Sequence, residues 1–406
     1  MHVENKKKRL YVVDALRGFA IMAIMLLHNL EHFDYYFLPP NLSDWMIRLD
    51  KITWDSLFFL FAGKAYGIFA LLFGLTFFIQ TNNQEQKGHD FRPRFVWRLV
   101  LLFGFGMINS AFFQGDILTL YAAVGLLLIP MYKLNDKMVF LIALLLFLQP
   151  LEMFHLFEAM QHPDVKLSNP ESWTYFGKMG SYIEGDSFIN TVKGNLTNGK
   201  KAVFLWNWEN GRFFHMLSLF MLGMLAGRKQ LFVANEKHRK IWIKFLMIAS
   251  ISFIFLYLIQ IYFTPNITSE AVRRSFITIE TAWTNMAFMV VLVSGFVLLF
   301  HMKYFNKILN IFSPIGSMSL SNYIFQSIMG ASLYYGFGLG LYKYTGATYS
   351  LLIGIVLAVI MGWMSTWWSK RYKRGPLETI WHELTWISSK DLKKNSNVIK
   401  KEASIQ

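Results

Sequence analysis

The 406-residue chain has no cysteine, so disulfides, thiolate metal sites and cysteine nucleophiles are all excluded. Charge is sparse, at 16% of residues, and acidic side chains are the scarcer kind, 25 against 40 basic ones. No Ser-His-Asp spacing, phosphate-binding glycine loop or metal-ligand cluster of a recognised type occurs, and no metal site is expected. What the chain does have is apolar surface: 54% hydrophobic and 17% aromatic residues with a mean hydropathy of +0.35. That is too apolar for an ordinary soluble protein, and too evenly so for a single anchor. The fold class expected is all-α, a polytopic helical membrane protein with the lipid bilayer as its first partner.

A spanning helix needs about 20 mostly apolar residues, and about ten runs approach that standard. They lie near 11–31, 55–80, 95–113, 117–132, 138–157, 212–227, 241–262, 281–301, 315–335 and 350–368, the fourth and sixth being short. Gln114-Gly115-Asp116 reads as a tight turn between two of them, and Pro150 as a kink or stop. The net charge of +15 would suggest nucleic acid in a soluble protein. Here the basic residues cluster between apolar runs, at Lys6 to Arg9, Arg92 to Arg98, Lys133 and Lys137, Arg228 to Lys244, Lys303 and Lys307, and Lys370 to Arg374. That is the positive-inside pattern, so no nucleic-acid partner is expected, and both termini are placed in the cytoplasm, with Arg273 and Arg274 the main exceptions. Lys6 to Arg9 before an apolar run imitates a signal peptide, but the run is long, carries charges and lacks a small-residue cleavage site, so a retained first helix is expected.

One polytopic domain is expected over 1–386, with a long external loop at about 161–203 and a polar, disordered cytoplasmic tail at 387–406. The loop's Trp173, Tyr175 and Tyr182 favour a partly folded lid over a linker. Asn-x-Ser/Thr triplets at Asn41, Asn195 and Asn266 carry no weight.

Ionisable side chains in a spanning helix are costly and mark functional sites. Arg17 and His28 stand eleven residues apart on the first run. At about 100° and 1.5 Å per residue they share a face, roughly 20° apart, with a rise of about 16 Å between them. Asp14 falls on the same stripe at i,i+3 from Arg17, and His32 follows His28 at i+4. A neutral imidazole at His28 can accept a proton from an acceptor hydroxyl or amine, and Arg17 can meet an anionic or carbonyl group; the plainer alternative is helix packing around a satisfied Asp14–Arg17 pair. Lys64, among the small residues of Gly63-Lys64-Ala65, is a substrate contact or an inter-helix ion pair. Asp116 either orients His28 or caps the following helix. Arg92, Arg94 and Arg98 suit the phosphates of a nucleotide-containing acyl donor, or simple anchoring. Asn322 and Gln326, at i,i+4, face a substrate carbonyl or glue helices together.

Five ordered segments resemble the YeiB family of bacterial inner-membrane proteins: Asp14-Ala15-Leu16-Arg17-Gly18, Phe69 to Gly74, Gly115-Asp116-Ile117-Leu118 with Tyr121-Ala122, Asn322-Tyr323 with Gln326-Ser327, and Arg374-Gly375-Pro376-Leu377-Glu378. The resemblance places the chain in the bacterial inner membrane and relates it to membrane acyltransferases, among them bacterial enzymes that modify surface polysaccharides and the lysosomal heparan glucosaminide acetyltransferase. In the polysaccharide-modifying group an Arg and a His with ten residues between them on the first helix are functional, and Arg17 and His28 match that pattern. It departs from the YeiB pattern where family members carry Asn at the position of His28, Arg at Ser317 and a His near Asn109.

The resemblance implies transfer of an acyl group from cytoplasmic acyl-CoA, a co-substrate rather than a bound cofactor, to an external or membrane-embedded glycan or lipid acceptor. A transporter of a small solute is the alternative, although no internal repeat is evident; a non-enzymatic accessory protein is a third reading. The oligomeric state is not encoded in any feature of the sequence.

Overall fold

The structure is a computed structural model that describes residues 10–40 and 42–387. Lys6 to Arg9, Asn41 and the tail from 388 onward lie outside the described residues. The described chain is helical throughout, with no strand among the described residues, as the apolar runs require. It is a membrane protein: seven segments are long and apolar enough to cross a bilayer.

The first is α1 (Tyr11–Leu30), the innermost of them, with 61% of its apolar window buried. The expected second run is not one helix. α2 (Asp44–Phe61) and α3 (Lys64–Glu85) break at Ala62 and Gly63, where Gly63 takes φ +76°. A single helix over these 42 residues would reach about 63 Å, twice a bilayer core, so the left-handed glycine divides it. α4 (Arg92–Phe112) follows, then the Gln114–Asp116 turn and two short helices, α5 (Leu118–Gly125) and α6 (Leu128–Met131). α7 (Asp136–Phe147) stops before Pro150, which opens α8 (Pro150–Gln161) after a left-handed Gln149.

The long loop is folded, as its aromatic content suggests. It holds α9 (Glu171–Phe176), α10 (Gly180–Ile183), α11 (Phe188–Gly194), a π turn at Asn195–Gly199 and α12 (Lys200–Glu209). Tyr182 donates to Gln114 Oε1 at 2.9 Å, and the Gly336 N–H donates to Ile183 O at 2.8 Å, tying the loop to the ends of α4 and the later helices.

α13 (Arg212–Arg228) packs on α3, and α14 (Glu236–Leu258) on α15 (Glu270–Phe300). Only 11% of the apolar window that begins in α14 is buried, so Ile251, Ile254 and Phe255 face outward, where lipid replaces protein. α16 (Lys303–Leu309), α17 (Ser313–Ser317) and α18 (Ser319–Tyr334) lead to α19 (Ala347–Ser369). The expected run 315–335 is thus interrupted at Met318. A last helix, α20, runs from 376 through 387, the residue at which the tail was expected to begin.

Two glycine contacts set the core. A methyl on Gly18 would lie 2.0 Å from Phe312 O, and one on Gly316 would lie 1.8 Å from Asp14 O, so α1 and α17 touch backbone to backbone. Such close approach is how helices associate where lipid removes the hydrophobic drive between them.

Candidate functional site

α1 contributes to two separate cavities. One, of about 480 Å³, contains Arg17 with Thr76, Arg98, Lys373, Arg374 and Tyr323 on its wall. The other, of about 280 Å³, contains His28 with Glu31, Asp34, Asp116, Arg212 and again Tyr323. The shared face of α1 therefore opens into different spaces at its two ends. Between them stands a wall in which the Ile117 N–H donates to the Tyr323 hydroxyl at 3.3 Å and the Tyr121 hydroxyl to Tyr66 O at 2.9 Å.

In the first cavity Arg17 is held by Asp14 at 3.2 Å and by Thr76 Oγ1 at 3.0 Å, which fixes the guanidinium while leaving other donors toward the space. Asp14 is thus the partner of Arg17. Of the three arginines at the start of α4 only Arg98 lines this cavity, lying 4.1 Å from the Trp381 ring centre. Arg94 lies over Trp386 at 4.3 Å and donates to Thr385 O, while Arg92 forks onto exposed Asp90. The expected cluster is therefore divided, and Arg94 serves as a strap for α20. Lys373 and Arg374, named in the sequence as part of a basic segment and, for Arg374, of a resembling segment, but not as site residues, complete the basic wall. Glu378 lines the same cavity, but its carboxylate is committed: it accepts from the Leu320 and Ser321 N–H groups and from the Ser321 hydroxyl, capping α18.

In the second cavity His28 Nδ1 faces Glu31 Oε2 at 3.5 Å. The carboxylate at His28 is thus Glu31. Asp116 lines the same cavity but accepts from Asn109 Nδ2 at 3.0 Å and the Thr119 N–H at 2.9 Å, and lies 3.4 Å from Lys200 Nζ. Its bond to Thr119 fits the capping alternative. Burial pushes the Asp116 carboxyl up and the Lys200 ammonium down, each partly countered by the other's charge. Arg212 stacks between Trp206 at 4.0 Å and Tyr66 at 4.7 Å, placing a cation opposite the acidic groups.

The remaining expected site residues lie outside both cavities. His32 is buried against Tyr334, with Nε2 2.9 Å from Ser350 Oγ and 3.2 Å from Thr345 Oγ1; burial lowers it to about 4, so it is neutral. Lys64, the first residue of α3, sits among the rings of Phe59 and Phe288 at 5.9 and 5.7 Å. Asn322 donates to Ile315 O and Ser365 Oγ, both at 3.0 Å, which is the helix-gluing role. Gln326 is buried on the same face.

The sequence reading missed Glu31, Asp34, Arg212 and Tyr323. Glu31 and Asp34 had a signal, since both follow His28 at intervals of three. Tyr323 stood only in the Asn322-Tyr323 segment of the resemblance, with no role attached, and Arg212 had no signal, because only the tertiary packing brings them to α1.

Residues 226–388 match the family model described as "Protein of unknown function (DUF418)". Over 93% of its length the chain is 24% identical to "Uncharacterized protein YeiB" of Escherichia coli (strain K12), covering 96% of that relative. The chain is thus similar to YeiB along most of its length, and its residues 226–388 carry the DUF418 match. "Uncharacterized protein YxaH" of Bacillus subtilis (strain 168) is 28% identical over 96% of the chain and 98% of its own length, so the likeness extends well beyond the DUF418 region to both cavities. No solved structure matches the chain significantly.

Proposed function

We propose that this protein is a membrane acyltransferase of the bacterial inner membrane, with both termini in the cytoplasm, the Arg17 cavity facing inward and the His28 cavity outward. The observation that carries this reading is the polarity of two abutting cavities on one helix, basic around Arg17 and mainly acidic around His28. Arg17, Arg98, Lys373 and Arg374 suit the phosphates and thioester carbonyl of acyl-CoA, for which guanidinium forks are well matched. On the other side a glycan or lipid acceptor presents a hydroxyl or amine to His28. The acceptor's proton passes to the imidazole, its lone pair attacks the thioester carbonyl, and the C–S bond breaks with its electron pair on sulfur. Glu31 holds the imidazole through Nδ1.

The Tyr323 wall is the place the acyl group must pass. Purified protein in nanodiscs, given labelled acyl-CoA and a membrane glycan or lipid fraction, tests the reading. Label should appear in the acceptor fraction, and His28→Ala should lower turnover about 10²-fold or more. Wild-type turnover no greater than that of His28→Ala would end it.

The same two cavities in line also suit a solute transporter, whose path would be closed at Tyr323. Counterflow of a small solute through proteoliposomes, without label transfer, would favour that reading.

A further inference from the structure

Past the end of α1 the backbone does something costly. His32, Phe33 and Asp34 take φ of +47°, +56° and +70° in succession, three non-glycine residues in the left-handed region. Each such residue costs free energy, on the order of 1 kcal/mol, and persists only where its surroundings impose it. Here Phe33 is buried beside Phe113, its carbonyl accepts from the Tyr335 hydroxyl at 2.7 Å, and His32 is pinned by Ser350. The consequence of the turn is the placement of Asp34, whose carboxylate is brought against Gly115, where a methyl would lie 2.5 Å from Oδ2, and onto the wall of the His28 cavity.

We propose that Asp34 holds the acceptor's proton in this cavity once His28 has taken it. The inference rests on the acyl-transfer reading and assigns the step that reading leaves open. The imidazolium N–H breaks and an Asp34 O–H forms, which restores His28 for the next acceptor. Asp34 then gives the proton to solvent on the His28 side, while the departing thiolate takes one from solvent on the Arg17 side. Each acyl group moved is thus accompanied by one proton released outside and one taken up inside.

The groups facing Asp34 suit this role. His28 faces it from α1 and Glu31 from just past its end, Arg212 from α13, Asp116 from the turn after α4, Tyr182 from the folded loop, and Tyr323 and Tyr335 from α18 and its end. Burial first, then the Glu31 charge, push Asp34 up to about 7, with His28 and Arg212 opposing. Its carboxyl therefore gains and loses a proton near neutral pH, as a transient store must.

The full chain in nanodiscs tests this by infrared pH titration together with turnover. A protonated-carboxyl band titrating near pH 7 should vanish in Asp34→Asn, while Glu31→Gln should keep the band and move its midpoint down. Asp34→Asn should also lower kcat about 10²-fold with the acyl-CoA KM unchanged, and should remove the limb of the pH profile near neutrality. Survival of the band in Asp34→Asn, or wild-type turnover and pH profile in that variant, would overturn the proposal. Absence of turnover in the wild type would defeat acyl transfer alone, and the infrared titration would then decide whether Asp34 exchanges a proton.

Discussion

The backbone N–H of Ile117 reaches the Tyr323 hydroxyl at 3.3 Å, and that contact closes the wall between the Arg17 and His28 cavities. Tyr323 belongs to α18 and Ile117 to the turn after α4, so two elements 206 residues apart meet where the two cavities would otherwise be joined. A hydrogen-bonded wall thus separates the two cavities, and Tyr323 lines both of them.

Removing the hydroxyl and removing the ring should therefore differ. Tyr323→Phe loses one hydrogen bond, costing about 1 kcal/mol, and should keep the wall. Tyr323→Ala should join the cavities, read as proton leak across proteoliposomes carrying the variant but not the wild type or Tyr323→Phe. Equal leak in all three would show that the wall lies elsewhere.

The basic cavity makes unequal demands on its arginines. Arg98→Ala and Arg374→Ala should each weaken acyl-CoA binding about tenfold or more, because a lost charged hydrogen bond is worth roughly 1.5–3 kcal/mol. Arg92→Ala, outside the cavity and paired with exposed Asp90, should change it less than twofold. Calorimetric titration with acyl-CoA measures all three, and equal losses would mean that the phosphates bind at the helix end instead.

Asp34 should also leave a mark on stability. Folded Asp34 keeps its proton up to about pH 7, whereas an unfolded aspartate releases it near about pH 4. The folded state binds more protons in that interval, so this group's contribution falls as pH rises through it and is flat above about 7. His32, lowered to about 4, acts in the opposite sense, adding stability as pH rises. The difference in melting temperature between wild type and Asp34→Asn isolates the first effect: the variant should gain on the wild type from pH 4 to 7 and hold that gain above it.

The glycine contact between α1 and α17 is a packing requirement. Gly18→Ala or Gly316→Ala drives a methyl into a carbonyl oxygen, and backbone cannot yield as a flexible side chain can. Each should cost more than the roughly 1–3 kcal/mol usual for overpacking, seen as loss of folded protein after detergent extraction. Gly104→Ala, with open space at its Cβ, is the control that should be tolerated.

Because the chain lacks cysteine, orientation can be read with single substitutions on a silent background. Lys87→Cys and Asp186→Cys, both exposed, should be labelled by a membrane-impermeant maleimide only from the cytoplasmic and only from the outer side respectively. Labelling of Lys87→Cys only from the outer side and of Asp186→Cys only from the cytoplasmic side would reverse the assignment of donor and acceptor cavities, and labelling of both from one side would refute the topology.

Composition and run length by themselves determined that this is an all-helical membrane protein, because a bilayer admits few other ways to satisfy a buried backbone. Helical periodicity also determined that Arg17 and His28 share a face, and that Asp14 is within reach of Arg17, since these are local consequences of the α1 geometry. Local signals failed where the chain bends. The left-handed Gly63 that divides α2 from α3 and the strained His32–Asp34 turn are conformations imposed by surrounding packing, which no periodicity reports. Only the tertiary structure decided that the shared face opens into two cavities, that Glu31 rather than Asp116 attends His28, that Arg98 parts company with Arg92 and Arg94, and that Tyr323 and Arg212 join the site. Those are facts about side chains distant in sequence meeting in a close-packed interior, where the neighbour that arrives is selected by shape and by the charge already buried there.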